Sequence, residues 1–222
     1  MGDGGTLRER LATVWPLFGL RIRTERLELR LPTDDDILAL IEVARAGIHP
    51  PEEMPFGIAW TDPPSPAFEH GFVQHHWLRR GTWRPDAWFL NLMVVHDGRP
   101  IGSQSVQGVD FAIYHTVDSG SWLGAAYQGQ GLGRDMRAAV LGFAFDGLGA
   151  QAATSSAFLD NDASNGVSRS LGYEPDGVTQ MAPRGVAREA LRWRMTEAAW
   201  RSRPRPAVEI EGLDACRDLF GV

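Results

Sequence analysis

The chain has 222 residues, 43% of them hydrophobic, and a formal charge of -6. That is the length of one domain with enough apolar content for a packed core, and its acidic balance argues against a general nucleic-acid surface, which is basic. A single cysteine, Cys216, excludes an internal disulfide and a thiolate metal cluster, and the absence of lysine excludes a Schiff-base or P-loop lysine.

Residues 1–20 read as a loose N-terminal arm, with Gly2, Gly4 and Gly5 ahead of a short helix-compatible run and Trp15-Pro16. Thr24–Leu31 alternates Leu27, Leu29 and Leu31 with charged residues, the pattern of a half-buried strand. Thr33 with Asp36 three residues on resembles a capping box, and Ile37, Leu40, Ile41 and Ala44 mark one face of a helix ending near Gly47. Prolines from Pro50 to Pro66 forbid regular structure over 48–66, so this stretch reads as a binding loop carrying Trp60, Glu52, Glu53 and Asp62. A second helix is expected over 66–80. Trp88–Val95 and Pro100–Val106 are strands joined by an Asp97-Gly98 turn.

Asp118–Ala126 is the next strand. It leads into Gln128-Gly129-Gln130-Gly131-Leu132-Gly133-Arg134, and a helix follows to about Leu148. Gln151–Phe158 reads as a strand, and Asn161 or Asp162 caps a helix that Gly172 stops. A hairpin over 173–180 and 187–195 follows, and 201–222 reads as a Pro/Arg linker, a short strand and a terminal turn. The order defines an α+β fold with one βαβ crossover, expected to be right-handed. No run is apolar enough to span a bilayer and no signal-peptide pattern opens the chain, so a cytoplasmic protein without membrane contact is expected.

The glycine loop is the most informative segment. Three glycines in five positions leave amide N–H groups free, and the helix N-terminus behind them adds roughly half a positive charge. Together they suit a phosphate or pyrophosphate. A dinucleotide fingerprint fails, because counting from Gly129 puts Arg134 at the last glycine position and counting from Gly131 puts Met136 there.

Gln128-x-x-Gly131-x-Gly133 resembles the Q/R-x-x-G-x-G/A motif of the GCN5-related N-acyltransferases. Thr24-Glu-Arg-Leu-Glu-Leu-Arg30, Ser121-Trp-Leu123, Phe143-Ala-Phe145, Asn161-Asp-Ala-Ser164 and Leu171-Gly-Tyr173 are similar in order and spacing to the RimJ/RimL-type branch, over residues 24 to about 196. Asp118-Ser-Gly-Ser-Trp-Leu-Gly124 and Asp218-Leu-Phe-Gly221 resemble a mycobacterial member associated with succinyl-CoA. The resemblance implies a mixed, mostly antiparallel sheet with splayed parallel strands and flanking helices, an acyltransferase domain over 21–200, and a C-terminal extension over 201–222.

It also implies an acetyl-CoA or succinyl-CoA donor, no metal, and an amine acceptor, either a small molecule or a protein amine. The amides of Gln128, Gly129, Gln130, Gly131, Leu132, Gly133 and Arg134 would bind the pyrophosphate. Backbone of Trp122, Leu123 and Gly124 would pair with the pantetheine arm, in a slot opened where two parallel strands part after residue 124. Asn161 would bind the arm from the other side. Arg134, Arg137 or Arg169 would meet the 3′-phosphate, with Arg137 read by preference as a solvated helix arginine.

Direct attack of the amine needs a base, an oxyanion donor and a proton for the thiolate. The resemblance assigns Ser164 to the thiolate, Asp118 to the base through water, and a backbone amide near Leu123 to the oxyanion. Asp110, His75, His76 and His115 are weaker base candidates. The tyrosine of many relatives is replaced here by Ser168, which keeps open a catalytically weak CoA-binding sensor or interaction protein. The apolar tail residues Val208, Ile210, Leu213, Leu219 and Phe220 need a surface, on the domain itself or on a second copy in a homodimer.

Overall fold

The structure is a computed structural model and describes residues 5–222; Gly2 and Gly4 of the expected arm lie outside the described residues. The arm is ordered rather than loose from there on. Thr6 accepts from the Glu9 N–H and Glu9 answers with its carboxylate, a capping box that starts α1 (Leu7–Ala12). Leu17 and Leu20 are fully buried. The expected strand over 24–31 is instead a hairpin. β1 (Arg21–Arg23) pairs antiparallel with β2 (Glu28–Arg30), and Thr24 and Leu27 close the turn through Thr24 N–H to Leu27 O at 2.9 Å.

The Thr33–Asp36 capping box opens α2 (Asp34–Arg45), and α3 (Ala67–Gly81) follows the proline-rich loop. β3 (Ala87–His96) and β4 (Arg99–Val109) form the central hairpin. A short α4 (Phe111–Tyr114) leads to β5 (Thr116–Leu123), then α5 (Leu132–Gly142), β6 (Ala152–Phe158) and α6 (Asp162–Leu171). β7 (Glu174–Met181) and β8 (Arg188–Thr196) form the last hairpin, followed by α7 (Glu197–Arg201), β9 (Glu209–Glu211) and α8 (Arg217–Phe220). The helix expected to reach Leu148 changes at Phe143 into a π-helical turn, Phe143–Gly147, which turns Phe143 and Phe145 into the core.

All the strands join one sheet in the order β7-β8-β6-β5-β4-β3-β2-β1-β9. Among the described residues only β5 and β6 run parallel. The period of two along β3 divides the core: Leu90, Leu92 and Val94 face α5, while Met93 and Val95 meet Ile37, Leu40 and Ile41 of α2 and Phe68 and Phe72 of α3. The sheet therefore has α2 and α3 on one face and α5 on the other.

The apolar tail lies on the chain itself. Val208 packs on Gly142, and Leu213 and Ile210 pack on Gly147. Phe220 sits within 5.5 Å of Phe143, 5.4 Å of Trp83 and 5.0 Å of Trp88, ring centre to ring centre. These residues are covered within the chain and give no reason of their own for a second subunit. Phe220 is fully buried in this aromatic cluster. Phe220→Ala should lower the unfolding free energy by about 3–5 kcal/mol in urea titrations; a loss below about 1 kcal/mol would show that the tail is not part of the cooperative core.

Candidate active site

The site is built where β5 and β6 part. Their parallel pairing covers only Thr116↔Ala152, Val117↔Ala153 and Asp118↔Thr154. The strands separate after Asp118, six residues before the expected point, because side-chain hydroxyls replace the ladder there. Ser119 Oγ donates to Thr154 O at 3.3 Å and Ser155 Oγ donates to Ser119 O at 3.2 Å. Arg137 Nη1 donates to Ser155 Oγ at 3.0 Å from below. Arg137 is 3% exposed, so the solvated reading is corrected: α5 packs that face onto the fork.

Beyond the fork β5 stays paired with β4 up to Leu123↔Gly102, leaving its other edge open. Gly124 N–H donates to Ile101 O at 2.9 Å. Alternate residues of an antiparallel strand aim their backbone groups at opposite edges, so Trp122 also faces β4, and Ser119, Ser121 and Leu123 face the gap. The backbone of Trp122 and Gly124, expected to pair with the arm, is thus taken by β4, while Leu123 and Ser121, a residue the sequence reading did not name although period two marks it, face the gap. The Trp122 ring instead packs against Trp60 at 5.7 Å and Phe72 at 6.1 Å.

The glycine loop closes the top of the gap. Gln128 N–H bonds to Ala125 O and Arg134 N–H to Gly131 O, which removes both ends of the expected amide row. The amides of Gly129, Gln130, Gly131, Leu132 and Gly133 have no acceptor among the described residues. Gly131 caps α5 with φ +78°, a left-handed conformation that turns these amides outward. Gly133 lies between Leu123 of β5 and Val167 of α6, so α5 begins at the mouth of the fork. The loop is held from behind. Gln128 Nε2 donates to Ile48 O and to Leu123 O, each at 2.8 Å, and Arg26 binds Gln130 O and the Asp135 carboxylate.

Asp118 is half-buried at the fork, accepting from Gln107 Nε2 at 3.2 Å and Thr154 Oγ1 at 2.8 Å. Burial pushes its carboxyl above the ordinary carboxylate range, against those two hydrogen bonds and the Arg137 charge. On α6, Asn161 Oδ1 accepts from Ser164 N–H at 3.0 Å. Asn161 is therefore the cap, and Ser164 lies in the first turn with a hydroxyl that makes no hydrogen bond within the described residues. Ser168 is fully buried and its hydroxyl returns to Ser164 O.

Other candidates sit elsewhere. His76 is buried against Asn91 and held neutral, its pKa pushed down to about 3 by burial and by His75 and Arg80. Asp110 and His115 flank α4 at positive φ. Cys216 is buried, with its thiol pushed up to about 11, and does not act as a thiolate nucleophile. Arg169 stacks over Trp193 at 5.4 Å. Arg134 is exposed and lines a cavity beside the loop. Asp62 of the proline-rich loop is bound by Arg184 at 2.6 Å, while Glu52 and Glu53 line a cavity of about 620 Å³ together with Asn161 and Asp162. Among the described residues no group of His, Cys, Asp and Glu is placed to hold a metal, and no helix is long and apolar enough to cross a membrane.

An acetyltransferase (GNAT) domain profile matches residues 26–174, and the chain belongs to that family. Its fold is shared by solved structures of low sequence identity. Mycobacterium smegmatis RimJ in complex with CoA-disulfide is 16% identical with a TM-score of 0.66, covering 89% of this chain and 91% of that one. The ribosomal-protein-S5-alanine acetyltransferase of Vibrio fischeri is 17% identical with a TM-score of 0.58, covering 83% and 99%. A GCN5-related N-acetyltransferase of Brucella melitensis is 17% identical with a TM-score of 0.64, covering 82% and 80%.

The raised Asp118 carboxyl binds its proton more tightly in the folded chain than in the unfolded one. Its contribution to stability is complete below its ordinary pKa of 3.8 and is lost as pH rises through the folded value. Asp118→Asn removes that loss. Urea unfolding at a series of pH values should show the variant gaining on the parent as pH rises above the ordinary value of 3.8; a pH-independent difference would contradict the buried-acid reading.

Proposed function

We propose that the chain is an acyl-CoA-dependent N-acetyltransferase of the RimJ/RimL-type branch, working by direct attack in a ternary complex. The observation that carries this reading is the continuity of two sets of unsatisfied backbone groups. The amides of 129–133 at the start of α5 suit a diphosphate, and the open β5 edge, at Ser121 and at the Leu123 N–H, suits an extended, amide-bearing arm. The two meet at the fork, where Gly133 touches Leu123. Acyl-CoA supplies the acyl thioester.

The chain's residues then take distinct roles. Asp118, once ionised, takes the amine proton through water as nitrogen attacks the acyl carbon. The Leu123 N–H, aimed into the gap, donates to the oxyanion. Ser164 relays a proton from solvent water to the sulfur as the carbon–sulfur bond breaks, taking one up as it passes one on, and the free state of its hydroxyl supports that role. Asn161 fixes the first turn that holds Ser164, and its amide nitrogen remains available to the arm.

The acceptor is proposed to be a protein amine. The Vibrio fischeri neighbour is named for an alanine of a ribosomal protein, and the cavity beside Asn161 is wide enough for a chain end. A succinyl donor has no comparable support. Titration with CoA and acetyl-CoA, followed by thiol release with a panel of peptide N-termini and small amines, tests the reading. Ser164→Ala and Asp118→Asn should each lower kcat by about a hundredfold or more with little change in acetyl-CoA binding. Binding without turnover would instead identify a CoA sensor, and no binding would remove the donor reading altogether.

A further inference from the structure

Beside the glycine loop is a cavity of about 240 Å³ lined by Arg134, Ser170, Trp200, Arg203 and Arg205, together with Leu171 and the two prolines that follow those last arginines. No carboxylate lines it, in a chain whose net charge is -6. Arg134 and Arg203 have no carboxylate within ion-pair distance among the described residues, whereas Arg8, Arg26, Arg80, Arg184 and Arg188 each have one. Arg205 is held by Asp146 at 3.8 Å and lies over the Trp200 ring at 5.6 Å.

The cavity is built rather than accidental. Arg203 precedes Pro204 and Arg205 precedes Pro206, so both are confined to extended backbone. The Arg203 guanidinium lies flat on Gly172, where a Cβ would come within 2.4 Å of it. Gly172 caps α6 at φ +91°, and its missing side chain is what lets the strap lie so close. Arg134 belongs both to this cavity and to the first turn of α5, whose preceding amides are free. A second anion bound here would therefore sit next to one bound at the glycine loop.

We infer that Arg134, Arg203 and Arg205 form a phosphate-monoester subsite that reads the 3′-phosphate of the CoA ribose, and that the C-terminal segment supplies it. The inference rests on the acyl-CoA reading above. Two of the three arginines lie outside the matched family region, which ends at residue 174. Arg169, expected from the sequence for this task, does not line the cavity. A guanidinium matches a phosphate monoester with paired N–H donors, and removing such a charge-assisted contact costs about a tenfold loss of affinity or more.

Calorimetric titration with CoA and with 3′-dephospho-CoA decides it. The unaltered chain should bind CoA at least about tenfold tighter than the dephospho form. Arg203→Gln should bring that ratio toward one while leaving 3′-dephospho-CoA affinity unchanged, and Arg205→Gln should lower it in the same direction. Both arginines are exposed, so the fold is retained. Equal affinities in the unaltered chain, or an unchanged ratio in Arg203→Gln, would overturn the subsite and leave the acyl-CoA reading standing. Binding of neither ligand would overturn both.

Discussion

The site depends on a sheet that stops being a sheet. Parallel pairing of β5 and β6 ends at Asp118↔Thr154, and each strand then follows its antiparallel partner, β4 on one side and β8 on the other. An unpaired inner edge is an expense that a closed core avoids. Here the first backbone carbonyls past the fork are answered by the hydroxyls of Ser119 and Ser155, the latter held by Arg137, and the next backbone groups of β5 stay open. The same three side chains keep the strands joined there without a backbone ladder. α5 matters twice for this reason: its first turn faces the opening, and Arg137 one turn on holds the vertex.

The chain's pattern made the fold readable where burial follows a period. The alternation along β3, the helical stripe of α2 and the capping box at Thr33 are local facts, and the elements form where those facts place them. Short edge elements were not legible. β1 and β2 have only three residues each, too few for a period of two to show, and the other partner of β1, β9, is about 190 positions away. The N-terminal arm looked loose because its anchor, Arg8 on Leu31 O and Asp36, joins segments far apart in sequence.

The site shows the same division. Gly131 was legible because a positive φ at a helix start favours glycine. Strand polarity was not carried through to the single residue: Trp122 was assigned to the gap by its name in a motif, while period two assigns Ser121. Arg137 was misjudged because an arginine on a helix is usually solvated, and only the packing of α5 over the fork reverses that expectation. Arg203 carried no signal beyond its neighbouring prolines. Its meaning depends on Gly172, thirty-one positions earlier in the chain.

Gln128 joins parts of the molecule that would otherwise answer to different ligands. Its one amide group holds the carbonyl of Ile48, where the proline-rich loop begins, and the carbonyl of Leu123, where β5 ends. The glycine loop and the loop flanking the wider cavity thus share a fastening. Any pull on the glycine loop reaches the start of the proline-rich loop through a single pair of hydrogen bonds. Linkage makes any such influence equal in both directions, so whatever steadies one of these two loops through Gln128 steadies the other by the same free energy.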